Sequence, residues 1–462
     1  MSSRRPALVG ALLSLALVAA GCTGDDPGPG ARPDGSSTPA TPQATAEPTP
    51  LTLGVYGSKQ ELAAWADVVE QFNVTYDSGE VTLVEWPDHD SAVEAMAGGE
   101  TPDVFMAVRQ DLDQLLGEEL VRPVSELLDE RGVDFGDDFS RDAVESFSLE
   151  GELQCMAYSV SPMVMFLNTD LVDFDKMERR GLDVSSRWDR WSLAEFEAAA
   201  DFAARPARGT SGVHIDPTVR GLAPFVQSGG GAVFDDDEAP TSLSFSSDES
   251  RAALEETLAV LRDPSLTLTE EQLERRTPLQ WFRRGKLGMI AGHRDLVPEL
   301  RQVEGLNFNV MSMPTLEAAS TVGEVTGLCL SSRTKDAAAA ADLIAYAVGE
   351  DATARVAQEG AMVPANLAVA ASDVFLQPGR QPGRSRVFNT AVRGMAIAPL
   401  LESWDDLERA VAPFLLQLLT EPGDLDLDAV TEAADEASRE VLDPEEVESE
   451  PAEETPAPEG GE

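Results

Sequence analysis

From residue 51 onward, short apolar runs alternate with amphipathic stretches at helical spacing, and this alternation restricts the fold more than any other property of the chain. Leu51-Thr52-Leu53-Gly54-Val55-Tyr56 reads as a strand that stops at Gly57-Ser58, since apolar side chains at every second position face one side of an extended chain. Leu62, Trp65, Val69 and Phe72 then recur every three to four residues, which puts them on one face of a helix. Val81 to Val84 reads as a second strand, Ala92 to Ala97 as a short helix and Asp103 to Ala107 as a buried strand. The pattern returns with helices over Arg251 to Leu261 and Asp336 to Val348 and a strand over Val325 to Leu330. Strands that alternate with helices predict an α/β fold with a parallel sheet covered on both faces. No period of about 20–50 residues repeats, which excludes solenoids and propellers.

The two ends of the 462-residue chain do not follow this pattern. Arg4-Arg5 precede an apolar run from Ala7 to Ala20 that is too short to span a bilayer, so residues 1–21 read as a secretory signal. Val18-Ala19-Ala20-Gly21-Cys22 resembles a bacterial lipobox, with Ala19 where a larger aliphatic residue is usual. That resemblance implies acylation of Cys22 and anchoring to a membrane without spanning it. Residues 22–50, rich in Pro, Gly, Ser, Thr and Ala, read as a disordered tether. Residues 443–462 combine acidic side chains with repeated prolines and no basic residue, and read as a solvated tail.

The formal net charge is -49, from 34 basic and 83 acidic side chains, and most of the excess falls on residues 51–442. Nucleic-acid binding depends on clustered Lys and Arg, so a nucleic-acid partner is excluded, and adhesion to anionic lipid by charge is disfavoured. Three cysteines and three histidines offer no CxxC spacing, no zinc pattern and no HExxH helix, and no GxSxG elbow is present. No cofactor or metal is expected.

Seven segments in order resemble the extracellular solute-binding proteins of ABC importers, in particular the sugar-binding group that includes maltose-binding protein. They are Gly98-Gly99-Glu100-Thr101-Pro102-Asp103-Val104-Phe105; Gly151-Glu152-Leu153 through Asn168-Thr169-Asp170-Leu171; Trp191-Ser192-Leu193-Ala194-Glu195-Phe196; Phe282 through Met289, with Gly288 where alanine is usual; Val310-Met311-Ser312-Met313-Pro314; Thr326 through Ser331; and Gly360-Ala361-Met362-Val363-Pro364-Ala365. Each segment alone is weak; their order over the whole body is specific. The resemblance implies two α/β lobes, residues 51–157 with 326–375 and residues 160–322 with 385–440, closing by a hinge over a central ligand cleft. It also puts Cys155 and Cys329 on neighbouring hinge crossings, where they can pair or stay as buried thiols.

Ligand clefts of open α/β sheets lie beyond the carboxyl ends of strands, and sugars need hydrogen-bonding groups and an aromatic face. The candidates are therefore Ser58 after the first strand, Trp86 after the second, and Arg109, Gln110 and Asp111 after the third. Ser159 and Ser161 on one hinge strand, Gly327 on the other and Gly230 in Ser228-Gly229-Gly230-Gly231 complete the backbone set. His293 and Arg294 stand where relatives often carry a stacking tryptophan, and Trp404 with Arg409 lies in the late helical segment. Trp65, Trp191 and Trp281 read as core and Trp188 has no clear place. An arginine at 294, with Arg109, Arg393 and Arg409, points to a local positive pocket for an acidic or modified ligand. What the resemblance implies is a non-enzymatic, monomeric lipoprotein that binds a small solute and passes it to ABC permease subunits. The alternatives are a secreted carbohydrate-active hydrolase built on a carboxylate pair and a lipoprotein that reports its ligand to a receptor.

Overall fold

The first apolar run forms the strand Leu51–Tyr56, flanked by parallel neighbours Val81–Trp86 and Val104–Val108. The structure is a computed structural model that describes residues 50–76, 80–149, 151–184, 190–420 and 423–444. The signal segment, Cys22, nearly all of the tether, Trp188 and the acidic tail from residue 445 lie outside the described residues. Ser58 caps the helix Lys59–Thr75: its side chain accepts from the Glu61 N–H, and the Glu61 carboxylate accepts from the Ser58 N–H. This reciprocal cap satisfies two donors that a helix start leaves unpaired. The helix buries Ala64, Trp65, Val68, Val69 and Phe72. Gly54 is required where it stands, because a Cβ there would lie 2.6 Å from Pro102 and from the Trp86 ring.

The sheet is parallel across these three strands and where Met395–Ile397 meets Thr321–Ser331, and antiparallel elsewhere, which differs from the expected all-parallel arrangement. Thr321–Ser331 runs antiparallel to Val104–Val108, Cys155–Pro162 runs antiparallel to Thr321–Ser331, and Val363–Pro364 closes that edge. The reason lies in the connections. Thr321–Ser331 arrives from a second sheet and Cys155–Pro162 leaves for it, so neither is set by a local strand–helix–strand crossover and the rule that makes such units parallel does not act on them. The second sheet has the order Phe308–Met311, Val164–Asn168, Leu287–Gly292, Ser211–His214. Helix Leu193–Ala203 packs directly on it. A Cβ at Gly288 would lie 2.6 Å from Ala203 Cβ and 2.7 Å from the Gly212 carbonyl oxygen, which explains glycine at this position.

The chain passes from the large sheet to the small one at Met163 and returns between Met311 and Thr321. Only Met163 separates Cys155–Pro162 from Val164–Asn168; its N–H donates to the Val322 carbonyl at 2.9 Å, and its own carbonyl accepts from Thr321 Oγ1 at 2.7 Å. Met395–Ile397 lies parallel to Thr321 through Gly323 in the same layer. Buried apolar residues separate accordingly. Val160 and Val325 belong to the core under the large sheet, whereas Met163 and Met165 belong to one of the two clusters around the small sheet. The late helices Trp404–Thr420 and Leu427–Leu442 add Leu407, Val411, Leu415 and Val430 to that second core. Asp435 fastens the last helix by accepting from the N–H groups of Phe245 and Ser246.

Cys155 and Cys329 face each other across the antiparallel ladder, both fully buried, and form a disulfide between residues 174 apart in sequence. Closing so long a loop restricts the unfolded chain, an effect of roughly 2–5 kcal/mol. Peptides carrying Cys155 and Cys329 should therefore take up an alkylating agent only after unfolding and reduction, and Cys155→Ala with Cys329→Ala should lower the Tm. Alkylation of either cysteine in unfolded, unreduced protein would exclude the bond.

Candidate ligand-binding cleft

Side chains from both cores converge on a cavity of about 1100 Å³ beside the crossing strands. A recess of about 480 Å³ shares Gln110, Ser161, Arg220, Asp295, Glu324 and Trp404 with it, so the two are parts of one cleft. Tyr56 ends the first strand, His89 begins the helix after the second, and Gln110 and Asp111 lie in the single turn after the third. These are the carboxyl ends of parallel strands, where an open sheet leaves room for a ligand. Tyr158, Ser159 and Ser161 come from one crossing strand and Glu324 and Thr326 from the other. Arg220, near the start of helix Val219–Ser228, Asp295 and Trp404 face them from the small-sheet side.

A bulge sets the middle of this wall. Ser159 pairs with Thr326 and Ala157 with Gly327, which leaves Tyr158 without a residue opposite it. A bulge turns adjacent side chains toward one surface, and Tyr158 and Ser159 both line the cleft. Tyr158 also packs on Trp65 with ring centroids 5.0 Å apart. Its hydroxyl and Gln110 Oε1 are buried with no hydrogen-bond partner among the described residues. Buried polar atoms normally have partners, so these two are positioned to meet groups of a ligand.

Polar groups within the wall hold one another in place. The Asp111 carboxylate accepts from the Val108 N–H at 3.0 Å and bonds His89 Nε2 at 2.9 Å. This bond, with the nearby charges of Glu324 and Asp90, raises the His89 pKa against the opposing effect of burial. Tyr56 meets the His89 ring edge-on at 5.5 Å, and burial raises the pKa of its hydroxyl, aided by Asp111 and Glu324. Across the cleft, the Arg220 guanidinium lies 4.9 Å over the Trp404 ring and 3.6 Å from a Glu324 oxygen. Glu61, Asp90, Glu94, Asp111, Glu118, Asp295, Glu324, Glu402 and Asp405 line the main cavity, against Arg220 as its one guanidinium.

Of the residues singled out in the sequence, Gln110, Asp111, Ser159, Ser161 and Trp404 line the main cavity, and His293 lines the recess with its Nδ1 2.9 Å from the Ser161 carbonyl oxygen. The others lie elsewhere. Ser58 is the helix cap described above, and Trp86 is buried over Gly54. Arg109 donates to the carbonyls of Ser146 and Ala398. Gly230 occupies an exposed turn at φ +84, and Gly327 is held close to the Phe147 ring, 2.9 Å from where its Cβ would be. Arg294 is fully buried between Phe375 and Phe388 and donates to the Phe375 carbonyl. Arg409 is exposed and paired with Asp406, and Arg393 is exposed. None of these four arginines lines the cleft. The expected positive pocket therefore does not assemble, because each guanidinium is turned into backbone, aromatic packing or solvent. Trp65 and Trp191 are buried as expected, and Trp281 is half-buried with its indole N–H on the Gln272 carbonyl.

Sequence reasoning missed Tyr56, Glu61, His89, Arg220, Asp295 and Glu324. For Tyr56 and His89 a signal was present, since Tyr56 ends the first strand and His89 starts the helix just after the second. Arg220 and Glu324 are brought together only by the packing of the two cores.

A family model described as bacterial extracellular solute-binding protein matches residues 67–379. No curated protein matches by sequence. Among solved structures, an ABC substrate-binding protein from Listeria monocytogenes in complex with cycloalternan shares 16% identity at a TM-score of 0.70, covering 86% of this chain and 99% of that one. The maltose-binding protein MalE of the same organism, in complex with maltose, gives 15% and 0.68, covering 87% and 99%. The sugar-binding protein MalE from Xanthomonas citri gives 16% and 0.70, covering 87% and 100%. At such identities the likeness is one of fold.

The His89–Asp111 bond has a consequence for stability. A histidine whose folded pKa exceeds its unfolded value, near 6.5, stabilises fully below that value and loses the contribution as pH rises through the folded one. The Tm of the native protein should therefore decline from mildly acidic to mildly alkaline pH, and Asp111→Asn should flatten that decline. Identical Tm profiles for the two proteins would show that the bond does not form.

Proposed function

The chain belongs to the bacterial extracellular solute-binding protein family, and from that premise we propose that it is a membrane-anchored lipoprotein. In this reading it captures a sugar or oligosaccharide by hinge closure and delivers it to the permease of an ABC importer. The carrying observation is the cleft itself: aromatic rings and hydrogen-bonding groups from two cores, with the crossing strands at its back. A site of this form offers ring faces for the apolar side of a sugar and donors and acceptors for its hydroxyls. Saccharides in structures of the same fold, cycloalternan and maltose among them, support that ligand class.

The moving parts in this proposal are residues 51–157 with 326–375 and residues 160–322 with 385–440. Support comes from the change of core between Val160 and Met163, and from the small number of backbone segments that would have to bend. Closure brings Arg220 and Trp404 toward Tyr56 and Asp111 and removes water from the ligand. Ser159, Ser161, Gln110, Asp111, Trp404 and His293 act in binding. The protein works as a monomer, without cofactor or catalysis, on the extracytoplasmic face. Lipid on Cys22 holds it to the membrane, and the residues up to 50 give the body reach.

Two experiments test this reading. In a thermal-shift panel of sugars, amino acids and polyamines, one saccharide class should raise the Tm and be recovered intact, by the mass-action stabilisation of a folded state that binds ligand. Trp404→Ala should remove most of that shift while the unliganded Tm changes little. Stabilisation by amino acids alone, or release of reducing ends from a saccharide, would overturn the proposal. In the native host, Cys22→Ser should release the protein from the membrane fraction, and retention there would rule out the lipid anchor.

A further inference from the structure

The charge of the cleft says more about the ligand than the fold does. Among the described residues, nine carboxylates line the main cavity against the Arg220 guanidinium and the His89 imidazole, which is already bonded to Asp111, and no lysine lines it. When a cleft closes, carboxylates that lose water must gain counter-charge or take up protons. A neutral sugar offers them only hydroxyl hydrogens.

We propose that the ligand is a cationic saccharide, a sugar or oligosaccharide bearing protonated amino groups; this rests on the reading of the chain as a saccharide-binding protein. Three further observations carry it. First, the protein already fills one cation position of this cleft with its own side chain: Arg220 lies over the Trp404 ring at 4.9 Å and beside Glu324 at 3.6 Å. An aromatic face with a carboxylate at its edge attracts a cation more strongly than either group alone. Glu402 and Asp405 stand next to that ring in sequence and line the same cavity, so the position has carboxylates to spare. Second, Gln110 Oε1 is a buried, unpartnered acceptor that only a donor can satisfy, and Tyr158, 3% exposed, presents an unpartnered hydroxyl. A ring that carries both hydroxyl and ammonium groups supplies partners for both. Third, the carboxylates are spread along the walls. Among the described residues no three His, Cys, Asp or Glu side chains are arranged to hold a metal ion, so the charge suits dispersed ammonium groups rather than a divalent cation. The overall charge of -49 acts in the same direction by drawing cations toward the protein.

The test uses the mature protein and a matched pair of probes: a glucosamine trimer and its N-acetylated counterpart, which differ in charge and keep the sugar backbone. Maltotriose serves as a neutral reference and spermidine as a cation without a ring. Calorimetry at mildly acidic pH and low salt should give at least about tenfold tighter binding of the amine than of the acetamide. That advantage should shrink as salt rises, because screening weakens exposed charge pairs. Glu402→Gln with Asp405→Asn should compress the amine-to-acetamide ratio toward one, with the Tm confirming that the variant folds. Equal affinity for amine and acetamide, or tighter binding of the acetamide or of maltotriose, would overturn the cationic ligand and leave the saccharide reading standing. Tight binding of spermidine with no saccharide bound would overturn both. A ratio unchanged in the double variant would refute the assignment of the charge to the Trp404 position.

Discussion

The antiparallel pairing of Cys155–Pro162 with Thr321–Ser331 is the contact on which the rest of the structure depends. It joins the two sheets, since one partner continues into Val164–Asn168 after a single residue and the other begins beside Met395–Ile397. It is reinforced at one end by the Cys155–Cys329 disulfide inside the large-sheet core. At the other end the bonds of Thr321 and Val322 to Met163 are the backbone link between the cores. The stretch between these ends lines the cleft with Ser159, Ser161, Glu324 and Thr326. One pair of strands thus carries a disulfide at one end, the link between the cores at the other, and cleft-lining residues between them.

Charge organises the cavity as strongly as shape does. Carboxylates gathered at the cleft repel one another, and the protein limits that cost by setting His89 against Asp111 and Arg220 against Glu324. Both side chains also touch aromatic rings, Tyr56 for His89 and Trp404 for Arg220. The aromatic faces and the acidic groups are therefore parts of one arrangement. The arginines outside the cleft serve the scaffold. Arg109 ties the turn after the third strand to Ala398, and Arg294 fills space between Phe375 and Phe388.

Much of the fold and part of the cleft were legible in the sequence. Periodicity located the first strand, the Trp65 helix and the late alanine-rich helix, because burial of one face imposes a period on the residues that face it. A strand end pointed to Gln110 and Asp111, and the family resemblance to Ser159 and Ser161; all four line the cavity. The strand-end argument also offered Ser58 and Trp86, and the resemblance offered Arg294, none of which lines the cavity: a residue after a strand can cap a helix, cover a glycine or turn under a neighbouring helix, and side-chain direction at a loop has no period to betray it. The direction of Thr321–Ser331 was illegible for a related reason, since no local connection sets it.

The sequence by itself determined the α/β class, the helices and strands of the first sheet, the family resemblance and the acidic surface, all of which follow from near-neighbour patterns and composition. Tertiary structure alone decided that the sheet is mixed, that Cys155 meets Cys329, that Tyr158 sits at a bulge, and that Arg220 crosses to Glu324 over Trp404. Each of these joins residues far apart in the chain, whose meeting depends on how two separately built cores pack. The same packing reversed the expected sign of the site, because it drew carboxylates into the cleft and turned the candidate arginines away from it.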